Sequence, residues 1–186
     1  GHRKTLAREQ FNIAVHRTPD IMSGSMKKRG YWEKERQQDF YGFRFKGTLL
    51  DIGANVGAWT FFWARAGHRV IAVEGMPMNI ALLNASLCAN PELKKRVALV
   101  PYLMGPPESE GSICTVYSEP NFISNGVVSC DGSLPEHTRK QWVEHNITPV
   151  QVPAMMKSLQ TVLDEIDVAD IDSMKMDVES VECDVL

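Results

Sequence analysis

The residues best suited to chemistry fall in two short segments. One is Asp51-Ile52-Gly53-Ala54-Asn55-Val56-Gly57, and the other is the single acid Glu74, 21 residues past Gly53. A glycine turn between a strand and a helix lets a ligand approach the backbone closely. It also aims the unpaired N–H groups of the helix start at that ligand. An acid closing the next strand is placed to accept both hydroxyls of an adenosine ribose. Both features belong at the carboxyl edge of a sheet, where folds of this kind bind ligands.

Charge then separates one nucleotide from another. Dinucleotide sites carry G-x-G-x-x-G, whereas this chain has Asp51-x-Gly53-x-x-x-Gly57. An aspartate in place of the first glycine repels a pyrophosphate. It suits instead the ammonium and sulfonium groups of S-adenosylmethionine. The charge pattern therefore favours that cofactor over NAD. The plainer alternative is that Gly53 and Gly57 only make a tight strand–helix turn.

These residues need a scaffold, and the hydrophobic pattern describes one. Thr48 to Ile52 reads as a buried strand feeding the glycine turn. Trp59, Phe62, Trp63 and Ala66 form one helix face, stopped by Gly67. Arg69 to Val73 is a second strand ending at Glu74. Pro77 opens a helix carrying Ile80, Leu83, Leu87 and Cys88 as far as Pro91, and Arg96 to Leu103 is a third strand. Strand and helix alternate at short spacing, which predicts a parallel sheet with helices on its faces. Residues 105–157 break the rhythm. Ser112 to Ser118 and Val127 to Cys130, around the turn-prone Asn125-Gly126, predict an inserted hairpin. Ser133-x-x-Glu136 resembles a capping box opening a polar helix to about His145. Val150 to Met156 is a strand, Ser158 caps the helix carrying Leu159, Val162, Leu163 and Ile166, and Ile171 to Val178 is a last strand.

The chain has 186 residues, 44% hydrophobic and 23% charged, which suits one globular domain rather than a disordered chain. No apolar run approaches the roughly 20 residues of a membrane span. The N-terminus is charged rather than signal-like, so the default compartment is the cytoplasm. Residues 1–46 carry 11 Lys/Arg against 5 Asp/Glu, and residues 47–186 carry 9 against 18. The acidic body argues against a nucleic-acid groove. The basic segment with its aromatic patches reads as an arm packed on the domain. No His or Cys spacing matches a metal site. Cys88 and Cys183 read as core thiols, while Cys114 and Cys130 flank a turn-rich stretch and leave their pairing open. Of two Asn-x-Ser/Thr triplets, Asn84 falls in the expected helix and is not read as glycosylated.

Four segments share a further likeness: Leu50 to Gly57 (LDIGANVG), Val70 to Glu74 (VIAVE) with Pro77 and Asn79, Ser158 to Leu163 (SLQTVL) and Lys175 to Leu186 (KMDVESVECDVL). Together they resemble the FkbM family of S-adenosylmethionine-dependent methyltransferases. The resemblance divides the chain into an N-terminal arm, 1–46, and a methyltransferase domain, 47–186. It implies a class I methyltransferase fold: α/β, Rossmann-like and doubly wound, with a mostly parallel sheet. It also implies methylation of a hydroxyl of a small-molecule or glycan acceptor, with no metal. Asp51, Gly53, Asn55 and Gly57 would hold the methionine end of the cofactor and Glu74 the ribose. Met76 and Leu103 would sandwich the adenine, ordinary core packing being the alternative. Asp177 and Glu179 would point at the methyl group, one of them taking the hydroxyl proton, or both holding cofactor or loop. Tyr31 or Trp32 would cover the sulfonium, or else pack the arm.

The pattern departs from the family in three places. Gly75-Met76-Pro77 follows Glu74 where the family has proline directly after the acid. Ser180 replaces a glycine after Glu179. Family members also continue for several strands and helices past the point matching Leu186, which leaves C-terminal strands unaccounted for. A catalytically silent cofactor-binding or interaction module is the rival reading. The sequence specifies neither the acceptor nor the oligomeric state.

Overall fold

Apolar side chains alternate along the two central strands, and this decides the layers. The computed structural model describes residues 11–17, 20–33, 46–166, 168, 170–178 and 185. On β1 (Thr48–Ile52) and β2 (Arg69–Val73), Leu49, Val70 and Ala72 join a cluster with Phe61, Trp63 and Leu83. Leu50, Ile52, Ile71 and Val73 point the other way, into a cluster containing Val162. A strand buried on both faces reads as a near-continuous apolar run, interrupted in β1 by the buried Asp51.

Helices cover both faces. α2 (Ala58–Ala66) starts at Gly57 and stops at Gly67, both left-handed, at φ 91° and 102°. α3 (Pro77–Ala89) has Pro77 in its first turn, and α4 (Pro91–Lys94) follows directly. α6 (Leu159–Glu165) places Val162 against the opposite face, and its Ser158 cap accepts from Thr161 N at 3.2 Å, as the sequence predicts. The sheet is completed by β3 (Val97–Val100) and β8 (Ser173–Met176). It is all parallel, in the order β3-β2-β1-β8. The chain runs outward from β1 through β2 to β3, then returns to the other flank of β1. The strand order reverses between β1 and β8, the place where open α/β sheets leave a crevice for ligands.

The third strand differs from expectation. Pro101 has no N–H to give a ladder, and the chain breaks there into β3 and β4 (Leu103–Met104). β4 joins a second sheet, β4-β7-β5-β6, with β7 (Val150–Lys157), β5 (Ile113–Glu119) and β6 (Phe122–Ser129). β5 and β6 form the expected hairpin, but it turns at Pro120-Asn121, and Asn125-Gly126 lies within β6. Gly126 is needed there for close approach, since a Cβ would sit 2.8 Å from Val116 Cγ1. Cys114 and Cys130 are bonded across this hairpin.

Two further local expectations change. α5 (Glu136–Glu144) starts at Pro135 without a side-chain cap. Ser133 N instead donates to Asp131 Oδ1 at 2.8 Å, making a turn of its own. Cys88 is exposed, one position off the inward face of α3. That face carries Asn79, Leu83, Ser86 and Leu87. Its polar members hold the arm. Asn12 N donates to Asn90 Oδ1 at 2.9 Å, Ala14 N to Ser86 Oγ at 2.8 Å, and His16 Nε2 meets Asn79 Oδ1 at 2.7 Å. Alternate residues of an extended segment thus find partners along one helix. α1 (Ile21–Arg29) follows, capped by Asp20 and ended by Gly30. Among the described residues no helix is long and apolar enough to cross a membrane. The predicted core thiol Cys183 lies outside them.

Candidate active site

A cavity of about 410 Å³ opens where the strand order reverses, within the size range of small-molecule sites. Its floor is the ends of β1, β2 and β8. Its walls come from β4, from the hairpin and from the arm.

Glu74 organises the floor. Its chain leaves the end of β2 and is buried. Oε2 accepts from Asn55 N at 2.7 Å; Oε1 accepts from Met76 N at 2.8 Å and Asn79 Nδ2 at 3.3 Å. One carboxylate therefore fixes the glycine turn and the start of α3 together. Asn79 carries the network on to His16 of the arm. Burial pushes the Glu74 carboxyl above its ordinary value, against the lowering effect of these hydrogen bonds.

The glycine turn is shaped from behind. Gly53 has φ 75°, and a Cβ there would fall 2.0 Å from the Asp177 carbonyl oxygen. Glycine lets the exit of β8 pass against the exit of β1. Asn55 also takes a left-handed conformation, φ 54°, with its Oδ1 accepting from Val56 N. Gly57 lies off the cavity; a Cβ there would run into Phe61 and Leu83.

Asp51 is likewise off the cavity wall and fully buried beneath the turn. Its Oδ2 accepts from Thr60 Oγ1 at 2.6 Å. Its Oδ1 makes no hydrogen bond but lies 3.6 Å from Lys175 Nζ on β8. Lys175 also reaches Asp177 Oδ2 at 3.3 Å and donates to the Gly53 carbonyl at 3.3 Å. Burial raises the Asp51 carboxyl despite the lysine and Thr60, which lower it.

Of the residues singled out in the sequence, Gly53, Asn55, Glu74, Met76, Leu103 and Asp177 meet on the cavity wall, with Trp32 beside them. Glu179 lies outside the described residues. Met76 and Leu103 sit at the ends of β2 and β4, and Gly75 leaves Leu103 the space a Cβ would occupy at 2.3 Å. Glu33, Phe122 and Ile123, none of which the sequence gave a site role, also line the cavity. Phe122 and Ile123 belong to a strand whose register follows from the turn at Pro120-Asn121. Glu33 sits in a polar stretch without periodicity. It takes a left-handed φ of 47° and accepts from Trp59 Nε1 at 2.9 Å. Among the described residues no group of three or more His, Cys, Asp or Glu side chains is placed to hold a metal ion.

The family model for the methyltransferase FkbM domain matches residues 51–186. No curated protein matches the chain. Among solved structures the chain is similar to the glycopeptide N-methyltransferase MtfA complexed with S-adenosylmethionine. The two share 12% identity over 72% of this chain and 74% of that one, with a TM-score of 0.34. A second MtfA structure gives 12% identity, 83% and 82% coverage and a TM-score of 0.36. The sinefungin complex gives 11%, 82% and 76%, and 0.31.

Proposed function

Because the chain belongs to the FkbM methyltransferase family, and is thus an S-adenosylmethionine-dependent methyltransferase, we propose that it methylates a hydroxyl oxygen of a small-molecule or glycan acceptor. The observation that carries the cofactor assignment is the Glu74 clamp on the floor of a cavity at the strand-order reversal.

The described residues fit the cofactor. Glu74 faces the cavity, and its Oε2, which accepts from Asn55 N, keeps lone-pair capacity for a ribose hydroxyl, while Oε1 already accepts two hydrogen bonds. Met76 and Leu103, which line the cavity, would meet the adenine. Gly53 and Asn55 would hold the methionine end from the turn. Asp51 would act through the turn and Gly57 as the start of α2, with no wall position of their own. Held there, S-adenosylmethionine would supply a sulfonium-activated methyl group for the acceptor oxygen, whose hydroxyl proton must be taken up.

The chain's own part is mainly positioning, worth roughly 7–11 kcal/mol in favourable cases. Asn55 and Glu74 are hydrogen-bonded to each other, so the floor that would hold the cofactor is set before the acceptor arrives. Asp177 is the carboxylate assigned to the hydroxyl proton, standing on the wall at the end of β8 with Lys175 beside it. Glu179 is its alternate. The reading requires no metal ion.

Titration calorimetry with S-adenosylhomocysteine, with NAD as control and Glu74→Ala alongside, tests the cofactor site. Micromolar binding that is absent for NAD and lost in the variant is expected. Binding of NAD in preference would refute the assignment. A screen of hydroxylated acceptors, scored by S-adenosylhomocysteine formation, tests the chemistry, and chelator should leave turnover unchanged. Methylation of amines only, or turnover restored by a divalent ion, would count against it. Tight cofactor binding with no turnover on any acceptor would favour the silent module.

A further inference from the structure

The hairpin β5–β6 borders a second cavity, of about 340 Å³, between β6 and α5. Phe122, Asn125 and Gly126 line this cavity as well as the first. Gly126 has only backbone to present, so at that point no more than a strand separates the two chambers.

Size gives them different tasks. The first chamber, about 410 Å³, lies near the lower end of the range for sites that enclose a drug-sized ligand. S-adenosylmethionine is a ligand of that size. It leaves room for the reacting hydroxyl and its immediate neighbours, and the bulk of a larger acceptor must lie elsewhere. The chamber next door shares a wall with the first and is nearly as large.

The lining of that chamber suits hydroxyl groups. α5 brings His137, Thr138, Gln141 and Trp142 to it, in two rows one helical turn long. Thr138 and Trp142 are the buried row, and Trp142 Nε1 donates to Glu119 Oε1 at 3.0 Å, which ties α5 to the hairpin. His137 and Gln141 are the exposed row. The Gln141 amide both donates and accepts, and the Glu119 carboxylate keeps further lone pairs, so either direction of a hydroxyl's hydrogen bonding can be met. Half-buried Phe122 adds an aromatic side chain, an apolar surface that suits the C–H face of a sugar ring. No step of the transfer described above uses any of these groups.

We infer that the cleft between α5 and β6 is the outer half of the acceptor site. It holds a sugar unit of the acceptor while the hydroxyl to be methylated reaches the cofactor chamber past Phe122, and His137 and Gln141 are specificity-determining residues. This deepens the methyltransferase reading, rests on it, and selects the glycan class within it.

The full chain, saturated with S-adenosylhomocysteine, is titrated with cellobiose, maltose and lactose and followed by NMR, with glycerol at matched hydroxyl concentration as control. At least one disaccharide should shift the Trp142 indole N–H and the Gln141 side-chain amide, with millimolar affinity. Gln141→Ala, at an exposed position, should weaken that binding about fivefold and leave S-adenosylhomocysteine affinity within about twofold. His137→Ala is the second variant and should act in the same direction. Val143→Ser, exposed on α5 but off the cavity, should change neither. Shifts no larger than those glycerol causes, with S-adenosylhomocysteine bound, would overturn the proposal. So would disaccharide shifts confined to Met76 and Leu103 in the first chamber, or folded Gln141→Ala and His137→Ala proteins that bind as the wild type does. Failure of S-adenosylhomocysteine itself to bind would instead bring down the cofactor reading beneath it.

Discussion

Two buried carboxylates lie side by side in this site with different jobs. Glu74 faces the cavity and ties two backbone N–H groups. In Glu74→Gln the amide can accept at only one of these positions and sets an N–H against the other. The expected outcome is a stability loss of about 1–3 kcal/mol and at least tenfold weaker S-adenosylhomocysteine binding, measured by denaturant titration and calorimetry. Asp51 faces away and is held by Thr60 and Lys175. Its carboxyl is raised by burial above 3.8, so over the window from 3.8 upward the folded chain binds more protons than the unfolded one. Stability contributed by this group is present below that window and falls as pH rises through it. Asp51→Asn should flatten the pH dependence of the urea midpoint from about pH 4 upward. A variant as steep as the wild type would assign the slope to Glu74, whose carboxyl is raised in the same direction.

At the scale of elements, two strand ends meet only because one residue has no side chain. Gly53→Ala would combine a left-handed backbone with a Cβ 2.0 Å from the Asp177 carbonyl oxygen. The left-handed conformation alone costs about 1–2 kcal/mol, and separation of β8 from β1 adds to it. Weakened S-adenosylhomocysteine binding with a lowered Tm is expected; unchanged binding would mean that the β1–β8 contact does not shape the site. The sequence made this turn legible because strand, glycines and helix follow one another locally. It also made legible the strands buried on both faces and the alternation that implies a parallel sheet. The hairpin was legible in kind but not in register. Asn125-Gly126 looks like a turn, yet Gly126 serves close packing against Val116, which lies ten residues earlier and is brought near only by strand pairing. The same register brings Cys114 and Cys130 together. Closing a loop of this size stabilises by about 3 kcal/mol in the chain-entropy view. Reduction should release two further thiols and lower the denaturation midpoint.

At the scale of the whole chain, the cavity belongs to no single element. The parallel sheet supplies Gly53, Glu74 and Asp177, the second sheet Leu103 and Phe122, and the arm Trp32 and Glu33. This is why the sequence pointed to the floor residues but to little of the remaining wall: floor residues are set by neighbours in the chain, wall residues by packing between distant segments. The arm's attachment shows the same logic. Asn79, Ser86 and Asn90 look like interruptions of an apolar helix, yet they hold the extended segment through His16, Ala14 and Asn12. His16 bonds Asn79, which bonds Glu74, so the arm and Glu74 share one hydrogen-bonded chain. A ligand held by Glu74 should therefore steady the arm as well as the sheet. At about 100 times its Kd, S-adenosylhomocysteine should add about 2.7 kcal/mol to unfolding. Hydrogen exchange should slow at Asn55 and Met76 and also at Ala14 and His16. Protection confined to Asn55 and Met76 would show the arm to be energetically separate, and His16→Ala should then leave cofactor affinity untouched; if the chain of bonds carries the coupling, that variant weakens affinity and abolishes the arm's protection together.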